Sequence, residues 1–284
     1  MNQRQPQRDV PLAVCSWSLR PADAAGLRRS LNECGLAAVQ LHLNPLVERA
    51  HEGWSEGACR EALRGVAVVS GMMSPLGEDY STLESIRRTG GVRSDATWEG
   101  NRQLAERMAG VCAAWGIGLV TLHAGFVPPE GGREHEVMVE RVGWLARCFG
   151  EVGTRLALET GQEAAATLMG FLKDVDEVSG EWPRVGVNFD PANMVLYGMG
   201  DPVAALRLVR ARVVQVHIKD AVPSATAGEW GEERVVGEGS VAWREFFEVL
   251  KEGEMPRLVI EREAGEAREA DVRRAVEVVR GLMH

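Results

Sequence analysis

The sequence predicts an α/β fold, a single (β/α)8 TIM barrel with a closed sheet of eight parallel strands. Three observations predict it. Short apolar runs alternate eight times with helical patterns, which implies parallel pairing with the helices outside. Four of these runs end in an ionisable residue on the face opposite their aliphatic pair: Leu156-Ala157-Leu158-Glu159, Val187-Asn188-Phe189-Asp190, Val214-Gln215-Val216-His217 and Leu258-Val259-Ile260-Glu261. The length, 284 residues, suits a barrel that commonly occupies roughly 250 residues as one domain. An open doubly wound sheet competes, but no Gly-rich fingerprint follows the first strand.

Residues 12–16 form the first apolar run, followed by Pro21 and a helical pattern over 22–34 that Gly35 closes as a C-cap. The second strand covers 37–42. Helical sequence over 55–64 leads through Gly65 into the third strand, 66–72. Residues 73–97 lack periodicity and carry Pro75, Gly77, Gly90 and Gly91, so they read as a lid over the site. A helix over 98–115 ends at Gly116, and the fourth strand is 119–123. After the turn Pro128-Pro129 and Gly131-Gly132, Met138, Val142, Leu145 and Phe149 recur at helical spacing and form a core-facing stripe.

The fifth strand is 156–159, with a helix across 164–175. The sixth, 185–190, runs into Pro191, and Asp201-Pro202 reads as an N-cap with proline at the first helical position. The seventh, 213–220, is rich in β-branched residues that favour extended backbone. Residues 221–240 form a second long irregular connection with Trp230, Arg234 and Gly237-Glu238-Gly239. A helix over 241–251, a strand over 257–261 and a last helix with Val272, Ala275, Val276, Val279 and Leu282 on one face complete the count. Residues 1–9 are polar and read as a flexible tail on a barrel of residues 10–284.

A net charge of −9 argues against a sequence-independent hold on nucleic acid, which relies on Lys and Arg against phosphate. No apolar run approaches the length of a membrane span. The five cysteines are an odd set without C-x-x-C spacing, which fits a reducing compartment and a cytoplasmic protein. A homo-oligomer is compatible with this composition. Neither a Walker-type loop nor a Lys/Arg cluster beside a Gly-rich turn marks a phosphate site.

In a barrel the inward residues at the C-terminal strand ends converge on the mouth, where active sites of this fold sit. Glu159, Asp190, His217 and Glu261 would therefore gather. Three carboxylates so close would repel and hold their protons unless a cation neutralised them. Three oxygens and one imidazole suit one divalent ion, manganese, magnesium, cobalt or zinc, without choosing among them. One layer deeper, Gln40, Thr121, Asn188 and Gln215 stand two residues before His42, His123, Asp190 and His217, and are expected to orient the ligands. A strand-end carboxylate can also be a mere helix cap, but four in register on strands five to eight are not easily dismissed. Trp17, at the end of the first strand, is expected as an apolar wall of the site. Lys219 is read on the face opposite His217, where it and Asp220 anchor the following loop.

Over 14–263 the chain resembles the xylose isomerase-like TIM-barrel superfamily, often called sugar phosphate isomerases/epimerases. The resemblance rests on Leu158-Glu159-Thr160, Asn188-Phe189-Asp190-Pro191-Ala192-Asn193, Val216-His217-Ile218-Lys219-Asp220, Gly237-Glu238-Gly239 and Val259-Ile260-Glu261. It implies the same four metal ligands, with Glu159 and Glu261 as the acid/base pair on opposite sides of the substrate. The implied reaction moves a proton next to a carbonyl through a cis-enediolate on a small keto-sugar or polyol. Arg234 resembles the arginine that family members direct at substrate oxygens after strand seven. His42, His123 and Asn193 are the other expected substrate contacts.

Two departures bear on the substrate: Asn193 stands where the epimerases usually carry His, and Gln40 where strand two often offers Glu. A lyase or dehydratase using the same enolate is the alternative enzyme, and a non-catalytic sugar-binding barrel the alternative of another class. The abasic-site endonucleases of the superfamily need further His and Glu ligands. Only His42 and His123 are available inside, and the acidic balance disfavours DNA.

Overall fold

A computed structural model describes residues 11–49, 51–226 and 229–283; the expected tail, 1–9, lies outside them. Its strands are β1 (Ala13–Cys15), β2 (Ala38–His42), β3 (Ala67–Met72), β4 (Leu119–Leu122), β5 (Arg155–Glu159), β6 (Gly186–Phe189), β7 (Val213–Ile218), β8 (Asp220–Val222), β9 (Glu232–Arg234) and β10 (Arg257–Ile260). Eight of them pair in parallel around a closed ring in the order β1-β10-β7-β6-β5-β4-β3-β2. The other two, β8 and β9, form a separate antiparallel ladder. The helices are α1 (Ala24–Glu33), α2 (Asn44–Glu48), α3 (Glu56–Ala62), α4 (Leu83–Thr89), α5 (Asp95–Trp115), α6 (Arg133–Gly150), α7 (Ala165–Ser179), α8 (Pro191–Tyr197), α9 (Pro202–Val209), α10 (Trp243–Lys251) and α11 (Arg268–Met283). The expected TIM barrel is the observed fold.

Side-chain alternation along each strand separates two environments. Val39, Leu41, Leu158, Val187, Val216 and Ile260 pack into the main hydrophobic core. That core also holds the fully buried Phe149, Phe171, Phe189, Phe246 and Phe247, each contributing roughly 1.5–3 kcal/mol by burial. A second small cluster, Ala13, Cys15, Ala38 and Val259, sits apart with Trp17 and Val69 against it. Beside it lie Gln40, Ser70, Thr121, Asn188 and Gln215, all completely buried. Buried polar groups need partners. Gln40 Nε2 donates to Thr121 Oγ1 at 2.8 Å, Gln215 Nε2 to Gln40 Oε1 at 3.0 Å and Ser70 Oγ to Gln215 Oε1 at 2.6 Å. A register shift sets Asn188 opposite Gln215 after Val187 has faced Val213. Val214 is the extra residue, and the bulge aligns Gln215 and His217 with the polar side of β6.

The two long connections are more ordered than expected. Within 73–97, Thr82 and Ser85 exchange backbone and side-chain hydrogen bonds as a capping box that starts α4, and α5 begins at Asp95 rather than near 98. Only Ser85 and Ile86 of α4 are buried, too few to leave a periodic pattern. Within 221–240 the chain forms the β8–β9 hairpin. The short helices α2 and α8 were likewise unmarked by periodicity, whereas Asp201 caps α9 as expected, accepting from Ala204 N at 2.7 Å.

The segment around α4 is locked to the barrel at one glycine. Gly91 has φ +70°, and a Cβ on it would lie 1.9 Å from Ala124 O. Its N–H donates to Glu78 Oε1 at 2.8 Å, while Val92 N donates to Ala124 O at 3.0 Å. Gly91→Ala therefore has to move backbone as well as adopt a disfavoured φ, and we expect it to cost on the order of 2–4 kcal/mol in urea unfolding. All five cysteines are free. No helix among the described residues is long and apolar enough to cross a membrane.

Candidate metal centre

Glu159 ends β5, Asp190 follows β6, His217 lies on β7 and Glu261 follows β10. None is more than 5% exposed, and one ligand atom from each lies within 4.8 Å of the others. Ligands on either side of one divalent cation span a similar distance when each bond is about 2.0–2.4 Å. His217 Nδ1 is 3.3 Å from Glu159 Oε1, 3.3 Å from Glu261 Oε2 and 3.8 Å from Asp190 Oδ2.

Their remaining atoms are held from behind. His217 Nε2 lies 2.8 Å from Gln40 Oε1, so the ring donates from Nε2 and turns Nδ1 to the carboxylates. Asp190 Oδ1 accepts from Asn193 N at 2.9 Å as the cap of α8. Glu159 Oε2 accepts from Asn188 Nδ2 at 3.1 Å, and Glu261 Oε1 accepts from Trp17 Nε1 at 2.9 Å. Two of the four candidate ligands each keep a buried atom without a hydrogen-bond partner, His217 Nδ1 and Asp190 Oδ2. Such orphans are costly, and a divalent cation would satisfy both. The donor set fits one.

Of the expected substrate contacts, His123 is gathered in, with Nε2 3.3 Å from Glu159 Oε1 and Nδ1 buried and unpartnered. Asn193 is also in the site, but its amide is used within it. Nδ2 donates to Glu159 Oε1 at 3.0 Å and Oδ1 accepts from Lys219 Nζ at 3.3 Å. Gly161, with φ +133°, permits this approach, since a Cβ there would sit 2.3 Å from Asn193 Cβ. His42 lies at the rim, its Nε2 3.1 Å from Ser74 Oγ and its ring 6.0 Å from that of Trp17; burial lowers its pKa. Arg234 is not brought to the centre. It lies on β9 with a 44% exposed side chain, paired with Glu232 at 2.6 Å.

Lys219 corrects the expectation. Residues two apart on a strand share a side, so Lys219 follows His217 inward. It is 2% exposed, with Nζ 3.0 Å from Glu261 Oε2 and 3.9 Å from Asp190 Oδ2, and it also pairs with Glu263. Asp220 does anchor the loop, accepting from Gly237 N, Val241 N and Trp243 Nε1. Residues after the strands add groups that no pattern marked. Glu163 is buried and its pKa rises to about 8, burial outweighing the nearby His123 charge. Glu78, from the segment before α4, is raised by burial as well.

The family model described as xylose isomerase-like TIM barrel matches residues 29–282. The chain belongs to this xylose isomerase-like family. No curated protein matches it. Among solved structures, a xylose isomerase domain protein from Planctomyces limnophilus is 29% identical, with 96% of each chain covered and a TM-score of 0.80. A xylose isomerase-like TIM barrel protein from Mycobacterium smegmatis in complex with magnesium is 18% identical, with 98% of each chain covered and a TM-score of 0.71. A D-allulose 3-epimerase from Methylomonas sp. in complex with D-allulose is 14% identical, with 99% of each chain covered and a TM-score of 0.68. These last two share the fold.

In this family member the charges at the centre are unevenly balanced. Burial alone would raise Glu261, but Lys219 and His217 hold it down at about 2. Glu159 is likewise held well below the carboxylate range by His123 and His217 against its burial. Asp190 is raised to about 7 by burial, which Lys219 offsets only in part. His217, despite burial, is held well above its usual value by Glu159 and Glu261. Without a cation, then, His217 is protonated at neutral pH and Asp190 takes up a proton as pH falls through about 7. A metal must displace both protons. Affinity for manganese should therefore rise from pH 6 to pH 8, with proton release visible as a buffer-dependent heat in titration calorimetry. A flat pH profile without proton release would contradict this.

Proposed function

We propose that the protein is a divalent-metal-dependent sugar isomerase or epimerase that moves a proton at the carbon beside the carbonyl of a small keto-sugar. One observation carries the reading. Two buried glutamates, on strands separated in the ring by β6 and β7, each present an oxygen 3.3 Å from the same imidazole nitrogen. When bound, the cation supplies Lewis acidity to a carbonyl and its neighbouring hydroxyl. Manganese, magnesium, cobalt and zinc all suit three oxygen donors and one imidazole.

The chain's own residues provide the rest. Glu159 and Glu261 stay ionised because of the cations beside them, so either can accept a proton from carbon and the other can return one. Asn188, Asn193 and His123 hold Glu159, while Trp17 and Lys219 hold Glu261. A carboxylate fixed on both oxygens loses little orientation when substrate arrives. His123, with an unpartnered Nδ1, and His42 at the rim are left to contact substrate hydroxyls. Glu78 and Glu163, both raised by burial beside His123, offer carboxyl groups to sugar hydroxyls.

Proton NMR in deuterated water with added manganese and a ketose panel tests the reading. Exchange of one carbon-bound proton next to the carbonyl, with no loss of water, is expected. Loss of water would make the protein a lyase, and tight sugar binding without exchange would make it a binding barrel.

A further inference from the structure

His217 lies near the end of β7 and Lys219 just beyond it, two residues on, so both point inward. Their nitrogens face the same two carboxylate atoms. Glu261 Oε2 lies 3.3 Å from His217 Nδ1 and 3.0 Å from Lys219 Nζ, and Asp190 Oδ2 lies 3.8 Å from the first and 3.9 Å from the second. One oxygen from each of two candidate ligands is thus set between two positions, and each position calls for positive charge.

The second position is built around a cation. An ammonium has three hydrogens to donate, and Nζ spends them on Glu261 Oε2, Glu263 Oε2 and Asn193 Oδ1. None is left for a substrate oxygen. Burying an ammonium is costly unless it is paired and hydrogen-bonded, and Lys219 is 2% exposed. Asp190 Oδ2 is fully buried without a hydrogen-bond partner, open to a cation on either side. The turn that delivers Glu263 is braced as well. Its N–H donates to Glu233 Oε1 at 3.0 Å, Glu233 also accepts from Arg262 at 2.7 Å, and Arg268 donates to the Glu263 carbonyl.

Three carboxylates and an amide oxygen are also the donors that a hard divalent ion prefers. We propose that Lys219 is the built-in second cation of the centre: its ammonium fills a position that a divalent ion would otherwise take, and so keeps the centre at one ion per chain. This rests on the reading of Glu159, Asp190, His217 and Glu261 as ligands of the first ion. The consequence is chemical. Two divalent ions roughly 3.5–4 Å apart clamp the attacking and leaving oxygens of a displacement at phosphorus. An ammonium has no coordination position to offer such an oxygen, so Lys219 holds the chain to chemistry that one ion supports, such as proton transfer beside a carbonyl.

Manganese titration of the wild-type chain, Lys219→Ser and the double variant Lys219→Ser/Glu263→Gln tests it, with bound metal counted by mass spectrometry and coupling between ions read by electron paramagnetic resonance. Serine leaves room for an ion and its water. The wild-type chain should bind one manganese, with the spectrum of an isolated ion. Lys219→Ser should bind two, with the spectrum of coupled ions roughly 3.5–4 Å apart, and the double variant, short of one carboxylate, should lose the second. Two ions in the wild-type chain, one in Lys219→Ser, or a second ion that the double variant keeps, overturns the inference and leaves the isomerase reading standing. Lys219→Ser that stays unfolded by circular dichroism in excess manganese also overturns it, because a second ion should replace the charge removed. If the wild-type chain binds no ion, the metal centre itself falls and the inference with it.

Discussion

Glu159→Gln and Glu261→Gln should each lower ketose turnover by about 10²–10⁴-fold, the range lost when a positioned proton-transfer group is removed. Glutamine keeps the size of the side chain and an oxygen that can still face a cation, but it cannot accept a proton from carbon. The two positions differ in what else is lost. At 159 the amide would face Nδ2 of both Asn188 and Asn193, where the carboxylate now accepts from each. At 261 it would replace the charge that now pairs with Lys219 at 3.0 Å. Metal content by mass spectrometry, measured on the same samples, separates lost proton transfer from lost metal. Turnover within threefold of wild type in both variants, with metal retained, would remove the glutamates from the chemistry.

Lys219→Met should destabilise the fold by about 3–5 kcal/mol in the absence of added metal. The ammonium and the Glu261 carboxylate are 2% and 4% exposed, so deleting Lys219 leaves the buried Glu261 charge to His217, which Glu159 already shares. Asp190, 3.9 Å away, loses a stabilising cation at the same time. Added manganese should recover part of the loss by neutralising the same carboxylates. Urea unfolding with and without manganese measures both effects. A change below about 1 kcal/mol would show that the pair is worth no more than a surface ion pair.

The gathering of Glu159, Asp190, His217 and Glu261 was legible because a strand's side chains repeat with period two, and each run ended on its polar side. The same rule places Lys219 with His217, and assigning it to the opposite face was an error of parity rather than a failure of the pattern. The second layer, Gln40, Thr121, Asn188 and Gln215, was legible for the same reason, and its hydrogen bonds close around Gln40. What strands could not reveal lies after them. Gln162 and Glu163 follow β5 through a turn whose path depends on backbone such as Gly161, which periodicity does not register. Helix α4 begins with serine rather than glutamate at the third position of its capping box and buries too little to show a stripe. Arg234 was judged from its place in the order of the chain, and the hairpin that carries it turns its guanidinium to Glu232 and solvent.

The central proposal is one divalent ion held by Glu159, Asp190, His217 and Glu261. Anomalous diffraction from manganese-soaked crystals of the wild-type protein and of His217→Ala measures this directly. We predict a single strong peak per chain, bonded to Nδ1 of His217 and to an oxygen of each carboxylate, and its loss or marked weakening in the variant. A peak elsewhere, or one at the same place that His217→Ala leaves untouched, would contradict the account.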